Sequence, residues 1–307
     1  VRLFGDVTLP AAVSLARADA VYDTVSTSEE LQALIAEIRA AGRFAIDLET
    51  TSVDAVVADI VGVALSYREL EGFYIPVAHR QGTCLPLNEV LAALGPLLID
   101  PAIEVVIQNL KYEDTIFRRH GIHIENIAMD PMLASYLLRA GDRSHGLDVL
   151  ARDLLNRATR TYEEVTEKSR GSQLLFNDVT VEKATDYAAE DAEIALCLAN
   201  RMAPLLAEVK MDALLRDVEI PLARVLTGME LAGVCVDVAL MKSMSADFAA
   251  QIALLEEKAH AVAGRRFNLA SPKQLQEILI DQLKLPAQKK TKTGYSTDFE
   301  VLEELSF

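Results

Sequence analysis

The sequence predicts an α/β fold, a mixed β-sheet flanked by helices, followed by a mainly α-helical region. Three observations carry this expectation. A strand at 43–50 and two more at short spacing, 60–67 and 72–77, give way to a helix, strand and helix; residues 131–206 are mostly helical in period; and three acidic segments interrupt apolar stretches. Those segments are Asp47-Leu48-Glu49, Asn109-Leu110-Lys111-Tyr112-Glu113 and Tyr187-Ala188-Ala189-Glu190-Asp191. With 307 residues, 51% of them hydrophobic, the chain has enough apolar material for more than one packed core, so two domains are expected.

Residues 1–20 are mixed and carry Pro10, and they read as a linker or amino-terminal extension. Ser28-Glu29-Glu30 opens a helix with Leu31, Leu34, Ile35 and Ile38 on one face. Arg43 to Thr50 reads as a strand, Phe44, Ile46 and Leu48 pointing one way and Ala45, Asp47 and Glu49 the other, so both acids share a face. Ile60–Tyr67 and Gly72–Val77 are close enough in sequence to pair antiparallel. A helix (Leu87–Leu98), a strand (Ile103–Ile107) and a helix (Tyr112–His120) then add a parallel strand beside the first. The last helix before the pattern changes runs from Val181 to about Leu206 and carries Tyr187 and Asp191 four apart on one face. Beyond 208 the sequence predicts a helix ending at Gly233, a short Val234-Cys235-Val236 strand, and a long amphipathic helix over Ala239–Ala263. A turn at Asn268, an N-cap at Ser271 and Pro272 at the first helical position follow. The basic stretch Lys289-Lys290-Thr291-Lys292 comes next, and the chain stops inside what reads as another helix, which suggests a piece of a longer protein.

A formal net charge of −16 argues against a long non-specific nucleic-acid surface, because phosphate binding is dominated by Lys and Arg. Local binding through a few cations stays open. Cys84, Cys197 and Cys235 are odd in number and unpaired in spacing, which fits a reducing compartment. His120 and His123 flank Gly121 and read as a turn rather than a metal pair. No basic start with an apolar run opens the chain, and no segment reads as a membrane span, so a cytoplasmic protein is expected.

Carboxylates on core elements are costly unless something binds them, and a divalent cation is the usual remedy that keeps several ionised. Two metals about 4 Å apart can activate a water and stabilise a departing 3'-oxygen without a protein nucleophile. Asp47 and Glu49, at i and i+2 on one strand face, can hold one metal, with Asp47 free to bridge to a second. Asp191 completes the first site from the helix, Glu113 completes or supports the second, and Tyr187 is placed to orient the attacking water while staying neutral. Glu190 lies about 100° around the helix from Asp191 and reads as solvated or paired. A mixed sheet with acids on its first strand and on a late helix is the layout of ribonuclease-H-like nucleases, an inference by analogy.

The segments Phe44–Thr50, Gln108–Tyr112, Asp130–Tyr136 and Tyr187–Ala192 closely resemble the 3'-5' exonuclease domain of the bacterial DNA polymerase I family, a DEDD exonuclease. Glu219-Ile220-Pro221-Leu222, Gly233-Val234, Lys258-Ala259-His260, Phe267-Asn268-Leu269, Lys273-Gln274-Leu275-Gln276 and Ser296-Thr297 resemble the start of a family A polymerase domain, leading into its thumb. The resemblance implies an exonuclease domain over 21–207 and the beginning of a polymerase domain over 208–307. It implies a proofreading module in a bacterial, nucleoid-associated and monomeric DNA polymerase, with Asp47, Glu49, Glu113 and Asp191 on two divalent ions, Mg²⁺ first and Mn²⁺ or Zn²⁺ as alternatives. The partners implied are a frayed single-stranded 3' end and, through the thumb, primer-template duplex. Gln108, Asn109 and Tyr112 match positions that touch terminal nucleotides, Val53 matches an apolar wedge, and Lys289, Lys290 and Lys292 match a loop that grips duplex backbone.

Where the family pattern has Asp after N-L-K-Y, this chain has Glu113 followed by Asp114, and the reading favours Glu113 as the ligand. A silent exonuclease-fold module that only supports the polymerase is the alternative. The retained Asp47, Glu49, Tyr187 and Asp191 count against it, and the thumb-like second half counts against a stand-alone ribonuclease-D-like enzyme.

Overall fold

The structure, a computed structural model, describes residues 19–141, 144–166, 168–169, 172–286, 290–291 and 294–305. The chain packs as two compact units that meet in sequence at Gly233 and Val234. In the first unit the elements are β1 (Val21–Thr24), α1 (Ser28–Ala41), β2 (Arg43–Thr50), β3 (Ile60–Arg68), β4 (Glu71–Pro76), α2 (Leu87–Leu98), β5 (Glu104–Ile107) and α3 (Leu110–Arg119). They continue with β6 (Ile127–Met129), α4 (Pro131–Leu138), α5 (Leu147–Leu155), α6 (Tyr162–Val165), the two-residue hairpin strands β7 (Lys168–Ser169) and β8 (Ser172–Gln173), α7 (Val181–Glu208), α8 (Asp212–Leu214) and α9 (Ile220–Ala232).

Six strands form one mixed sheet in the order β1-β4-β3-β2-β5-β6. The β2-β3-β4 meander is antiparallel, and β1, β5 and β6 each pair parallel. Strand β2 sits near the centre, with Asp47 opposite Ala64 and Glu49 opposite Gly62 on β3. α1 starts where Thr27 and Glu30 form a reciprocal capping box, which satisfies two otherwise orphaned backbone donors, and it stops at Gly42 in the left-handed conformation.

The 28-residue α7 lies across β1 to β4 and packs on α4 and α5. Its sheet-facing side is built from Ala184, Ala188, Ala189, Ala192 and Ala195, all buried, and small side chains let a helix axis approach closely. The contact leaves no room for a side chain at Gly72, where a Cβ would stand 2.4 Å from the Ala189 carbonyl oxygen.

Behind this contact α7 buries two carboxylates around one cation. The Arg157 guanidinium, in a residue 2% exposed, reaches Glu193 Oε2 at 2.7 Å and Glu190 Oε1 at 3.7 Å and donates to the Tyr22 hydroxyl of β1. Glu193 also accepts from the Leu70 backbone N–H at 3.0 Å, and Glu190 from the Arg160 N–H at 2.8 Å. One arginine therefore ties the α5–α6 connection and the sheet edge to the helix.

In the second unit, α10 (Val238–Ala263) is followed by α11 (Pro272–Gln276), the two-residue hairpin strands β9 (Lys290–Thr291) and β10 (Gly294–Tyr295), and α12 (Phe299–Glu304). α11 has the expected start: Ser271 Oγ accepts from the Gln274 N–H and Pro272 fills the first helical position.

The structure departs from the sequence reading in three places. β1 and β6 were not anticipated, because four and three residues are too few to display a period. Val234–Val236 is not a strand: no ladder partner faces it among the described residues, and Val234 is 89% exposed. α10 forms as expected, but its apolar residues Leu240, Met241, Phe248, Ile252 and Leu255 are exposed and only Ala263 is buried. By length and composition alone α10 is apolar enough to cross a membrane, a feature the sequence reading did not single out.

Replacing Arg157 by Ala would leave Glu193 buried without that cation and Glu190 reliant on Arg160 at 3.7 Å, a loss of about 3–5 kcal/mol. The melting temperature is expected to fall by roughly 10 °C. Far-UV circular dichroism is the probe, since the chain has no Trp.

Candidate active site and metal centre

Strand alternation puts Asp47 and Glu49 on the sheet face that α7 covers, and α7 delivers Asp191 to the same point. One carboxylate oxygen from each of the three lies within 4.8 Å of the others. Glu49 is buried, and Asp47 and Asp191 are half-buried. Burial pushes the Asp47 pKa up to about 6. Burial and then the repulsion of Asp47 push Glu49 and Asp191 well above the ordinary carboxylate range. Tyr187, one helical turn before Asp191, donates its hydroxyl to that carboxylate. Its own pKa is raised by burial and the neighbouring acids, which keeps the phenol protonated. The ring is held against Phe176 at 5.9 Å and Tyr162 at 6.5 Å between centroids.

Glu113 and Asp114 are both buried but do different work. β5 runs beside β2 only as far as the Ile46–Ile107 pair, and past that point Glu113 Oε1 accepts from the Leu48 backbone N–H at 3.4 Å. Glu113 Oε2 is buried with no hydrogen-bond partner. Burial, and next the charge of Asp47, raise the Glu113 pKa well above normal, although Glu113 is not one of the three acids that converge within 4.8 Å. Asp114 is instead paired with Arg118 Nη2 at 2.9 Å on its own helix.

The turn into α3 depends on a residue to which the sequence reading gave no role. Asp130, 1% exposed, accepts from the backbone N–H groups of Asn109 at 3.3 Å, Leu110 at 2.9 Å and Met132 at 2.8 Å, and so caps two helices. Asn109 takes the left-handed φ of 59° that the turn needs. An Asp directly before Pro131 at a helix start was the available signal. Tyr112 donates to the Ser52 carbonyl at 2.5 Å and bonds the Thr50 hydroxyl, which closes the loop after β2. Gln108 is buried, whereas Asn109 is exposed and Val53 is 97% exposed on that loop. A cleft of about 240 Å³ opens beside the cluster, lined by Asp148, Arg160, Tyr162, Tyr187 and Asp191 among others. Asp148, Arg160 and Tyr162 were not anticipated, because no spacing links them to the acids.

Lys289 and Lys292 lie outside the described residues, and Lys290 is in β9. His120 ends α3 beside Gly121, at φ 77°, and His123 is exposed, as a turn requires. Cys84, Cys197 and Cys235 are free thiols, of which Cys197 is buried and Cys235 exposed. The fit of a metal rests on the donors themselves. Three converging carboxylates with raised pKa values, and a fourth with an unpartnered buried oxygen, are the hard-oxygen set that Mg²⁺ or Mn²⁺ takes.

Sheet, covering helix and acid cluster together define a ribonuclease-H-like exonuclease fold followed by a helical region. A family model described as 3'-5' exonuclease matches residues 22–207, and one described as DNA polymerase family A matches residues 238–307. The chain belongs to the 3'-5' exonuclease family of the family A DNA polymerases. It is 35% identical over 327 residues to DNA polymerase I of Rhizobium leguminosarum, covering 97% of this chain and 32% of that protein. To DNA polymerase I of Pseudomonas aeruginosa it is 37% identical over 297 residues, covering 94% of this chain and 32% of that one. The chain thus spans about a third of the length of these relatives. Among solved structures it is similar to the POL domain of Pol1 from M. smegmatis in complex with DNA primer-template and dNTP, with a TM-score of 0.74 and 32% identity, covering 92% of this chain and 45% of that one.

The cluster makes stability depend on pH with a definite sign. An acid whose folded pKa is raised holds more protons folded than unfolded between its two pKa values, so its contribution falls as pH rises. For Asp47 the window runs from the unperturbed 3.8 to about 6, and for Glu49, Glu113 and Asp191 it extends higher. Melting temperatures in EDTA are expected to fall from pH 5 to pH 8. Added Mn²⁺ should restore them, most at pH 8, and Asp47→Asn should remove the restoration.

Proposed function

We propose that this chain is a 3'-5' exonuclease module that removes the 3'-terminal nucleotide of single-stranded or frayed DNA with two divalent cations, Mg²⁺ the first expectation. The convergence of Asp47, Glu49 and Asp191 within 4.8 Å carries the reading. In this reading Asp47, Glu49 and Asp191 hold the cations and Glu113 serves the second with the oxygen that Leu48 leaves free. The bound cations supply the positive charge that activates water and stabilises the departing 3'-oxygen. Tyr187 acts as an orienting group rather than a base: its raised pKa keeps the proton, its O–H donates to Asp191, and its lone pair is free to accept from the attacking water. Val53, Gln108, Asn109 and Tyr112 are proposed to contact the strand, and Lys289, Lys290 and Lys292 the duplex.

The whole protein is proposed to be a monomeric, cytoplasmic DNA polymerase of replication and repair. That is supported by the family A match to residues 238–307 and by the relatives named above. The exonuclease and polymerase domains are proposed to divide near residue 207, although α9 packs with the first unit through α3. α10 is read as a helix of the polymerase domain and not a membrane anchor, since Lys242 and Asp247 interrupt its apolar run.

The test is digestion of a 3'-mismatched primer with Mg²⁺ or Mn²⁺. Wild type should shorten it and Asp47→Ala should be at least 100-fold slower; equal products from both would refute the reading and leave the silent module. Glu113→Gln should slow cleavage about 10- to 100-fold, in the range for residues that tune a metal site. Asp114→Asn should lower the melting temperature while retaining most activity at 20 °C. The reverse ranking of cleavage rates would reassign the second carboxylate.

A further inference from the structure

An aromatic pair formed by α4 and the segment before α5 has no part in the chemistry above. Tyr136 on α4 is 52% exposed, and its ring is stacked on the imidazole of His145 with centroids 3.8 Å apart and planes 28° apart. One face of the ring is therefore buttressed while much of the residue stays open to solvent. The imidazole beneath is itself held: His145 is 7% exposed, and its Nδ1 shares a 2.7 Å hydrogen bond with Ser135 Oγ. An aromatic ring pinned in this way has little side-chain entropy left to lose when a flat ligand stacks on it.

A second observation points to a ligand at the same place. Gln108, only 9% exposed, donates its amide to the His145 carbonyl at 3.5 Å, and its Oε1 has no hydrogen-bond partner. A buried amide oxygen left without a donor costs about 1–3 kcal/mol, a penalty that an N–H or O–H from a bound molecule would remove. The pair also adjoins the cleft in sequence. Three positions after His145, Asp148 lines the cleft with Tyr187 and Asp191, and three residues span at most about 11 Å. That distance corresponds to a few stacked nucleotides at about 3.4 Å each.

We propose that Tyr136, backed by His145 and joined by the open acceptor of Gln108, is a stacking subsite for a nucleobase of the single strand a few nucleotides from its 3' end. It rests on the exonuclease reading and adds a positioning element to it. Tyr136 is neither one of the converging acids nor part of the cleft lining, so in this proposal it holds the strand and takes no part in the bond change. Stacking accepts any base, which suits an enzyme that must remove whichever nucleotide is wrong.

The experiment measures binding separately from hydrolysis. A single-stranded oligodeoxythymidine carrying 2-aminopurine at successive positions from its 3' end is titrated with protein in EDTA, and its fluorescence is read. Wild type should quench the probe most at one internal position. Tyr136→Ala should weaken binding about tenfold and abolish that positional quenching, and Tyr136→Phe should stay within twofold of wild type. Tyr136→Leu, which keeps apolar bulk on α4, should behave as Ala and guards against a folding defect. With Mn²⁺, Tyr136→Ala should raise KM about tenfold and leave kcat within twofold. Wild-type affinity and quenching in Tyr136→Ala would overturn the subsite, as would equal losses on blunt duplex. Strand binding with no hydrolysis by wild type would instead refute the exonuclease reading and leave the subsite standing.

Discussion

The close seating of α7 on the sheet is the constraint on which the rest of the unit depends. A 28-residue helix reaches five strands because its inner side is alanine and Gly72 offers no side chain to the Ala189 carbonyl. Larger residues there would lift the helix by about a side-chain radius, and packed interiors do not absorb such shifts freely. The separation between the strand acids and Asp191 is thus set by packing that contains no charge. Rigid apolar contact is what lets carboxylates be brought together against their repulsion.

The same helix treats neighbouring acids in opposite ways. Glu190 and Glu193 turn towards Arg157 and are neutralised within the protein. Asp191, a single residue and about 100° further round, meets Asp47 and Glu49 with the Tyr187 hydroxyl as a donor. An ion pair made permanently inside the fold and a charge left for an external cation are different electrical solutions, and here one residue separates them. The arginine also holds the neighbouring acids away from this cluster, so the cluster is defined as much by what Arg157 removes as by what converges.

Legibility in the sequence followed the range of the forces involved. The acids on β2, the long helix and the pairing of β2 with β3 and β5 follow from alternation and helical spacing, which are local and periodic. Tyr187 and Asp191 at i and i+4 were visible for the same reason. Asp130 was readable only as a cap, because its four backbone donors come from two chain segments. Arg157 and Arg160 could not be read at all: no sequence period joins residue 157 to residues 22, 190 and 193. The exposed Val234–Val236 run shows the converse, that strand propensity without a partner ladder yields no strand.

Glu113 shows why the middle acidic segment was hardest to interpret and what its extra methylene does. β5 ends at Ile107, so the Leu48 N–H has no carbonyl partner on that side, and the carboxyl of α3 crosses to it. A carboxylate has two oxygens with room for separate partners. One oxygen extends the sheet by a hydrogen bond between Asp47 and Glu49 in sequence, which stiffens the strand at the point where both acids emerge. The other is left buried and unpartnered, facing the charge of Asp47. Asp114 differs in having a cation beside it, the Arg118 guanidinium at 2.9 Å, although neither of its buried oxygens accepts a hydrogen bond. A glutamate at this position therefore keeps a scaffold contact on one oxygen and leaves the other buried and unpartnered, and the first fixes where the second lies.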